Sequence, residues 1–120
     1  MTLSVYTARV DYAGPDRLDV TRKSAGPEGL PFAPSWAILG PILNARRGGP
    51  SYVWPWPGYV RDYTAEMRRS FREHSAAWSA LLARDEVTLV CYCSDAVHCH
   101  RAVLAEILVK LGATYHGERP

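Results

Sequence analysis

A chain of 120 residues with 48% hydrophobic side chains is sized for a single domain around one core. Its 14 Lys and Arg stand against 12 Asp and Glu, a net charge of +2 with the basic residues scattered, so charge alone gives no case for a nucleic-acid binder. No segment has the pattern of a signal peptide or the length of a membrane span, and three cysteines make an odd number, which argues against a disulfide framework. The expectation is a soluble, cytoplasmic protein whose cysteines serve as thiols, metal ligands or core residues.

In chain order, Leu3 to Arg9 reads as a first strand, with Val5, Tyr6 and Thr7 supplying β character. A turn signal, Ala13-Gly14-Pro15-Asp16, separates it from a weaker second strand at Arg17 to Thr21. Gly26 to Pro57 is rich in Pro, Gly and Trp and reads as a loop or lid, holding a short helix at Ser35 to Arg46 that Gly40 and Pro41 interrupt. Trp36, Trp54 and Trp56 are read as plugs that fasten this segment to the core. From Tyr59 a stripe of Tyr63, Met67, Phe71, Trp78 and Leu82, broken only near His74 and Ser75, predicts a helix to about Ala83. Arg61, Arg68, Arg69 and Arg72 on that segment are interleaved with Asp62, Glu66 and Glu73, the pattern of a solvated face.

Val87 to Cys93 is a nearly unbroken apolar run and predicts a strand buried on both faces. Ser94 to His98 is a polar loop. From His100 the spacing of Val103, Leu104, Ile107, Leu108 and Leu111 predicts an amphipathic helix, with Gly112 placed to end it and a last short strand at Ala113 to Glu118. This alternation predicts a single α/β domain over residues 1–120, a three-layer Rossmann-like arrangement with a small, mostly parallel sheet. Ligands in such sheets bind at the carboxyl ends of the strands.

All three cysteines and two of the four histidines fall at one such end. Cys99, His100 and Arg101 are expected at a helix N-terminus, where backbone N–H groups, the helix dipole and the guanidinium all favour a thiolate and suit a bound anion. On this reading the catalytic residues are Cys99, His100 and Arg101: a nucleophile or polarising thiolate, a proton carrier and an anion holder. Cys99 is expected to face a cleft shared with the end of the first strand, and to be the most reactive thiol. Cys91 is expected to be a shielded core residue, and Cys93 is the expected partner of Cys99. Tyr6, Asp19, Arg22, Ser24, Cys93, Ser94 and His98 are assigned to substrate binding. A metal site made of Cys91, Cys93, Cys99 and His98 is the competing reading, but the spacing C-x-C-x5-C is not a common zinc pattern, and no cofactor is expected. The phosphatase loop is excluded because the position six after Cys93 is Cys99 instead of arginine, and no Gly-rich phosphate motif occurs.

The segments VYTARV, LDVTRKS, YVRDYTAEM and VTLVCYCSDAVHCHRAVLAEIL together resemble domain-of-unknown-function family 488 across nearly the whole chain. Cys99, His100 and Arg101 match that family's Cys-His-Arg, and LDVTRKS matches its Asp-Val-Arg followed by Ser, with Thr21 standing here between Val20 and Arg22. The resemblance implies a small Rossmann-like fold and does not imply a particular reaction. The functional expectation is a small enzyme acting on a nucleotide or another phosphate-bearing small molecule. A non-catalytic anion-binding module and a Cys/His metal-binding structural protein, with zinc, are the alternatives. The expected partner is a small anionic ligand, with no membrane; a homodimer is compatible with this reading.

Overall fold

Among the described residues four short strands pair into one parallel sheet, the two at its centre, Ser4–Arg9 and Glu86–Cys91, being the ones rich in β-branched and apolar residues. The computed structural model describes residues 2–38, 56–92 and 99–119. Strand β1 (Ser4–Arg9) lies between β3 (Glu86–Cys91) and β4 (Thr114–Glu118), and β2 (Arg17–Asp19) flanks β3. The order is therefore β2-β3-β1-β4, with every neighbouring pair parallel. The expected α/β fold with a small parallel sheet is what the chain adopts.

Among the described residues three helices of eight residues or more connect the strands: α1 (Trp56–Glu73) and α2 (Ser75–Leu82) between β2 and β3, and α3 (His100–Lys110) between β3 and β4. The crossovers from β2 to β3 and from β3 to β4 run in the same direction across the sheet, so right-handed connections place their helices on one face. The core lies there, where Val5, Leu18, Val20, Val87 and Leu89 meet Tyr63 and Met67 of α1, Trp78 of α2 and Leu104 and Leu108 of α3. On the opposite face Ala8, Thr88 and Val90 are also buried, as the apolar run predicts. Among the described residues their cover is the β1–β2 connection together with Arg119. The Thr88 amide donates to the Asp16 backbone carbonyl (2.9 Å), the Asp16 carboxylate accepts hydrogen bonds from the Thr88 hydroxyl (2.6 Å) and the Tyr12 hydroxyl (2.6 Å), and the Arg119 guanidinium lies 3.7 Å over the Tyr6 ring. Burial alone would raise the Asp16 pKa; the bonds from Thr88 and Tyr12 outweigh it and hold the carboxyl below its usual range.

Where sequence periodicity predicts one long helix, the chain breaks at His74 (φ −125°, ψ 42°). The break coincides with a demand of packing. Ser70 Oγ donates to the Pro31 carbonyl at 2.6 Å and accepts the Trp78 indole N–H at 3.0 Å, which seats Trp78 edge-on to Phe32 in the 3-10 turn Leu30–Phe32. A Cβ on Gly29 would collide with the Asp19 carbonyl oxygen, so only glycine lets this turn dock at the end of β2. Of the helix expected at Ser35 to Arg46, Trp36 to Ile38 are helical and the rest lies outside the described residues, as do Trp54 and the remainder of the expected lid to residue 55. Helix α3 ends as predicted: Gly112 takes φ +110°, its N–H bonds to Val109 O and the Ala113 N–H reaches Leu108 O, the paired bonds of a Schellman motif. No described helix is long and apolar enough to cross a membrane.

Candidate functional site

The carboxyl end of β3 delivers Cys91 to the helix side of the sheet, level with Arg9 of β1. Cys99 is the N-cap of α3, extended at φ −143° and ψ 147°, and His100 and Arg101 form its first turn, as the sequence predicts. These four residues are drawn into the interior: Cys91 is 1% exposed, Cys99 2%, His100 5% and Arg101 0%.

The sulfurs of Cys91 and Cys99 are in direct contact. Their Cα atoms stand 8.0 Å apart, wider than the roughly 4.4–6.8 Å of an ordinary disulfide, so the pair is a juxtaposed dithiol. Arg101 Nη1 donates to both, at 2.9 Å to Cys91 and 3.5 Å to Cys99. The rest of the guanidinium is gripped by Glu118 of β4, with Nη2 2.7 Å and Nε 3.2 Å from its two carboxylate oxygens. Burial alone would raise the Glu118 pKa, but the Arg101 hydrogen bond holds it below the usual carboxylate value.

His100 supplies the chemistry that an arginine cannot. Its Nε2 lies 2.8 Å from the Val20 carbonyl, and since a carbonyl only accepts, Nε2 carries the proton and Nδ1 the lone pair. That lone pair faces Cys99 Sγ at 3.9 Å. Burial pushes the His100 pKa down to about 4, only partly offset by the Val20 hydrogen bond, so the ring is neutral near pH 7 and its tautomer is fixed by β2. Tyr63 packs edge-on to the ring with centroids 5.6 Å apart. A thiol, a base and a group that orients the base are thus in sequence, the arrangement that activates a sulfur nucleophile. Cys91, Cys99 and His100 also place their potential metal-binding atoms within 4.8 Å of one another.

Beside this centre Asp19 accepts hydrogen bonds from the Thr21 amide (2.9 Å), the Thr21 hydroxyl (2.7 Å) and the Ser24 hydroxyl (2.5 Å). Burial alone would raise its pKa, and the bonds from Ser24 and Thr21 outweigh it and lower it. Tyr92, just past β3, donates to Ser24 at 2.9 Å. Asp19 and Ser24 therefore sit together, Asp19 at the end of β2 immediately before Val20, whose carbonyl orients His100.

The other expected binding residues go elsewhere. Arg22 donates to the carbonyls of Pro34 (2.8 Å) and Ala33 (3.2 Å), and lines a separate cavity of about 440 Å³ with Glu66, Arg69 and His74. Tyr6 stacks on His116, centroids 5.0 Å apart, beneath Arg119. Cys93, Ser94 and His98 lie outside the described residues, and so does the metal set that included them. Cys91 is buried, as expected of a shielded core residue, and side-chain alternation turns it toward the α3 N-terminus, where it touches Cys99. Cys99 is buried as well, beside Arg101, whose charge Glu118 compensates; residues 93–98, on which the expected cleft also depends, lie outside the described residues. Sequence reasoning missed Glu118 and Tyr92; no local pattern flags either, since each acts on a residue remote in the chain.

No curated protein and no solved structure matches the chain. A family profile does, and it spans α1, α2, β3 and the segment from Cys91 through Arg101 to Gly112. By that match, over residues 30–112, the chain belongs to DUF488-N3a, the active DUF488-N3 subclade.

Proposed function

We propose that the chain is a cysteine-dependent enzyme acting on a nucleotide or another phosphate-bearing small molecule, with Cys99 as nucleophile and His100 as its base. The observation that carries the reading is the hydrogen bond from His100 Nε2 to Val20, which leaves Nδ1 as acceptor toward the Cys99 thiol. The thiol proton passes to Nδ1 and Sγ bonds to an electrophilic carbon or phosphorus of the substrate. The leaving group departs with its electron pair and takes the proton back from Nδ1, and water then cleaves the adduct. Arg101 steadies the thiolate from inside. With its fork taken by Glu118, the anionic part of the substrate falls to the α3 N-terminus, where Cys99 provides no side-chain cap.

The test incubates the full chain with a panel of nucleoside 5′-monophosphates and diphosphates and follows products and Cys99 adducts by mass spectrometry. Turnover should vanish in Cys99→Ser and fall by about 100-fold in His100→Asn. Turnover that survives Cys99→Ser overturns the reading. So does an inert panel combined with Cys99 alkylated by iodoacetamide no faster than Cys91.

The cluster of Cys91, Cys99 and His100 favours one second reading, a structural zinc held by these three. The Arg101 guanidinium, 2.9 Å from Cys91 Sγ, opposes a further cation there and ranks it second. Stoichiometric zinc in the purified chain would select it over the enzyme.

A further inference from the structure

Helix α1 carries its charges in a pattern that the linear sequence conceals. At about 100° per residue, Arg61, Arg68 and Arg72 fall on one stripe, while Glu66, Arg69 and Glu73 are turned away from it toward the Leu30–Phe32 turn. On the side of Arg68 and Arg72 the three helices leave a cavity of about 290 Å³. Its floor is apolar, made of Met67, Trp78 and Ile107, and its walls include Phe71 and Leu111, which stay 42% and 41% exposed. Its rim carries Arg68, Arg72 and Lys110 with no carboxylate among the lining residues. None of these three cations forms an ion pair with a described residue. The cavity lies at the opposite end of α3 from Cys99, about 15 Å along the helix axis.

Three like charges around an apolar hollow repel one another and are relieved by an anion that arrives with apolar surface attached. The Phe71 ring, edge-on to Trp78 with centroids 5.6 Å apart, offers the flank of an aromatic slot, and the volume is at the small end of ligand pockets. We propose that this cavity is a second ligand site, distinct from the thiol centre, for a small aromatic carboxylate: the ring enters between the Phe71 and Leu111 walls and rests on the apolar floor, and the carboxylate meets Arg72 and Lys110 at the rim.

Amide-resolved NMR titration of the full chain with naphthalene-2-carboxylate, and in parallel with its uncharged carboxamide, tests this. Shifts are expected at Arg68, Phe71, Arg72, Leu111 and the Trp78 indole, with the carboxamide weaker by about tenfold. The exposed double change Arg72→Gln, Lys110→Gln should weaken the carboxylate by about tenfold and leave the carboxamide as it was. Cys99→Ser should bind like the native chain, which separates this site from any failure of the thiol chemistry. Shifts centred elsewhere, equal affinity for the acid and its amide, or indifference to the double change would each overturn the proposal.

Discussion

Glu118 and Arg119 are neighbours, yet they serve opposite faces of the sheet, and the two ion pairs they make are unlike in consequence. Glu118 reaches the helix side and binds an arginine with no solvent exposure, whose remaining donor lies on two sulfurs. Arg119 reaches the other side and caps Asp16, Thr88 and the rings of Tyr6 and Tyr12, at a side-chain exposure of 29%. The second cluster contains charge, hydroxyls, aromatic faces and the His116 ring stacked on Tyr6, but among the described residues no thiol and no histidine fixed in one tautomer beside one. It is a lid on Thr88 and Val90. What distinguishes the first is a buried cation beside polarisable atoms and a histidine held in one tautomer, so that charge created during reaction has a fixed partner.

That contrast breaks most readily at Arg101. Arg101→Met should cost about 3 kcal/mol of stability in urea unfolding, since it strands the Glu118 carboxylate, and adding Glu118→Gln should recover most of the loss because it removes that uncompensated charge. A double change no better than the single one would mean that the arginine acts through packing instead of charge.

The next largest effect is a pH dependence confined to the helix side. His100 titrates near 6.5 when unfolded and at about 4 when folded. Below the unfolded value the unfolded chain binds the extra proton, so stability falls as pH drops from about 6.5 toward 4 and then levels off. Between pH 7 and pH 5 the loss should be about 2 kcal/mol in the native chain and nearly absent in His100→Gln. Asp16, Asp19 and Glu118, all held below their ordinary values, lose stability only as pH falls into the carboxylate range. An unchanged slope in His100→Gln would show that carboxylates set it.

The smallest effect is expected on the other face. Arg119→Ala should cost about 1 kcal/mol or less, because its pair with Asp16 is partly solvated, and should leave Cys99 alkylation unchanged. A loss equal to that of Arg101→Met would erase the difference between the two faces.

Much of the scaffold was legible because it rests on local periodicity. The apolar run from Val87 gave β3, the spacing of Val103, Leu104, Ile107 and Leu108 gave α3, and Gly112 marked its end. Even the gap in the α1–α2 stripe at His74 was visible, though only the Ser70–Trp78 bond explains it. Cys99, His100 and Arg101 were found from their place at a helix start. The contact with Cys91 was foreshadowed only by the competing metal reading, which set Cys91 beside Cys99, because seven residues separate the two cysteines and spacing does not say which strand residue turns back toward the helix. Glu118 was hidden for a stronger reason: its partner is chosen by the order of strands. The split of charges on α1 was masked by the same interleaving that made it read as a solvated face.

The strand order carries a kinetic consequence. Ser4 of the inner strand β1 pairs with Glu86 on one side and Thr114 on the other, so one loop that must close spans about two-thirds of the chain and the other nearly all of it. Such topologies fold slowly, because the entropy of closure is lost before the contacts that repay it exist. Arg101 cannot lose its solvent until Glu118 arrives with β4. The thiol centre is therefore a late product of folding, and before that last strand docks Cys91 and Cys99 are open to whatever oxidant or metal the surroundings contain.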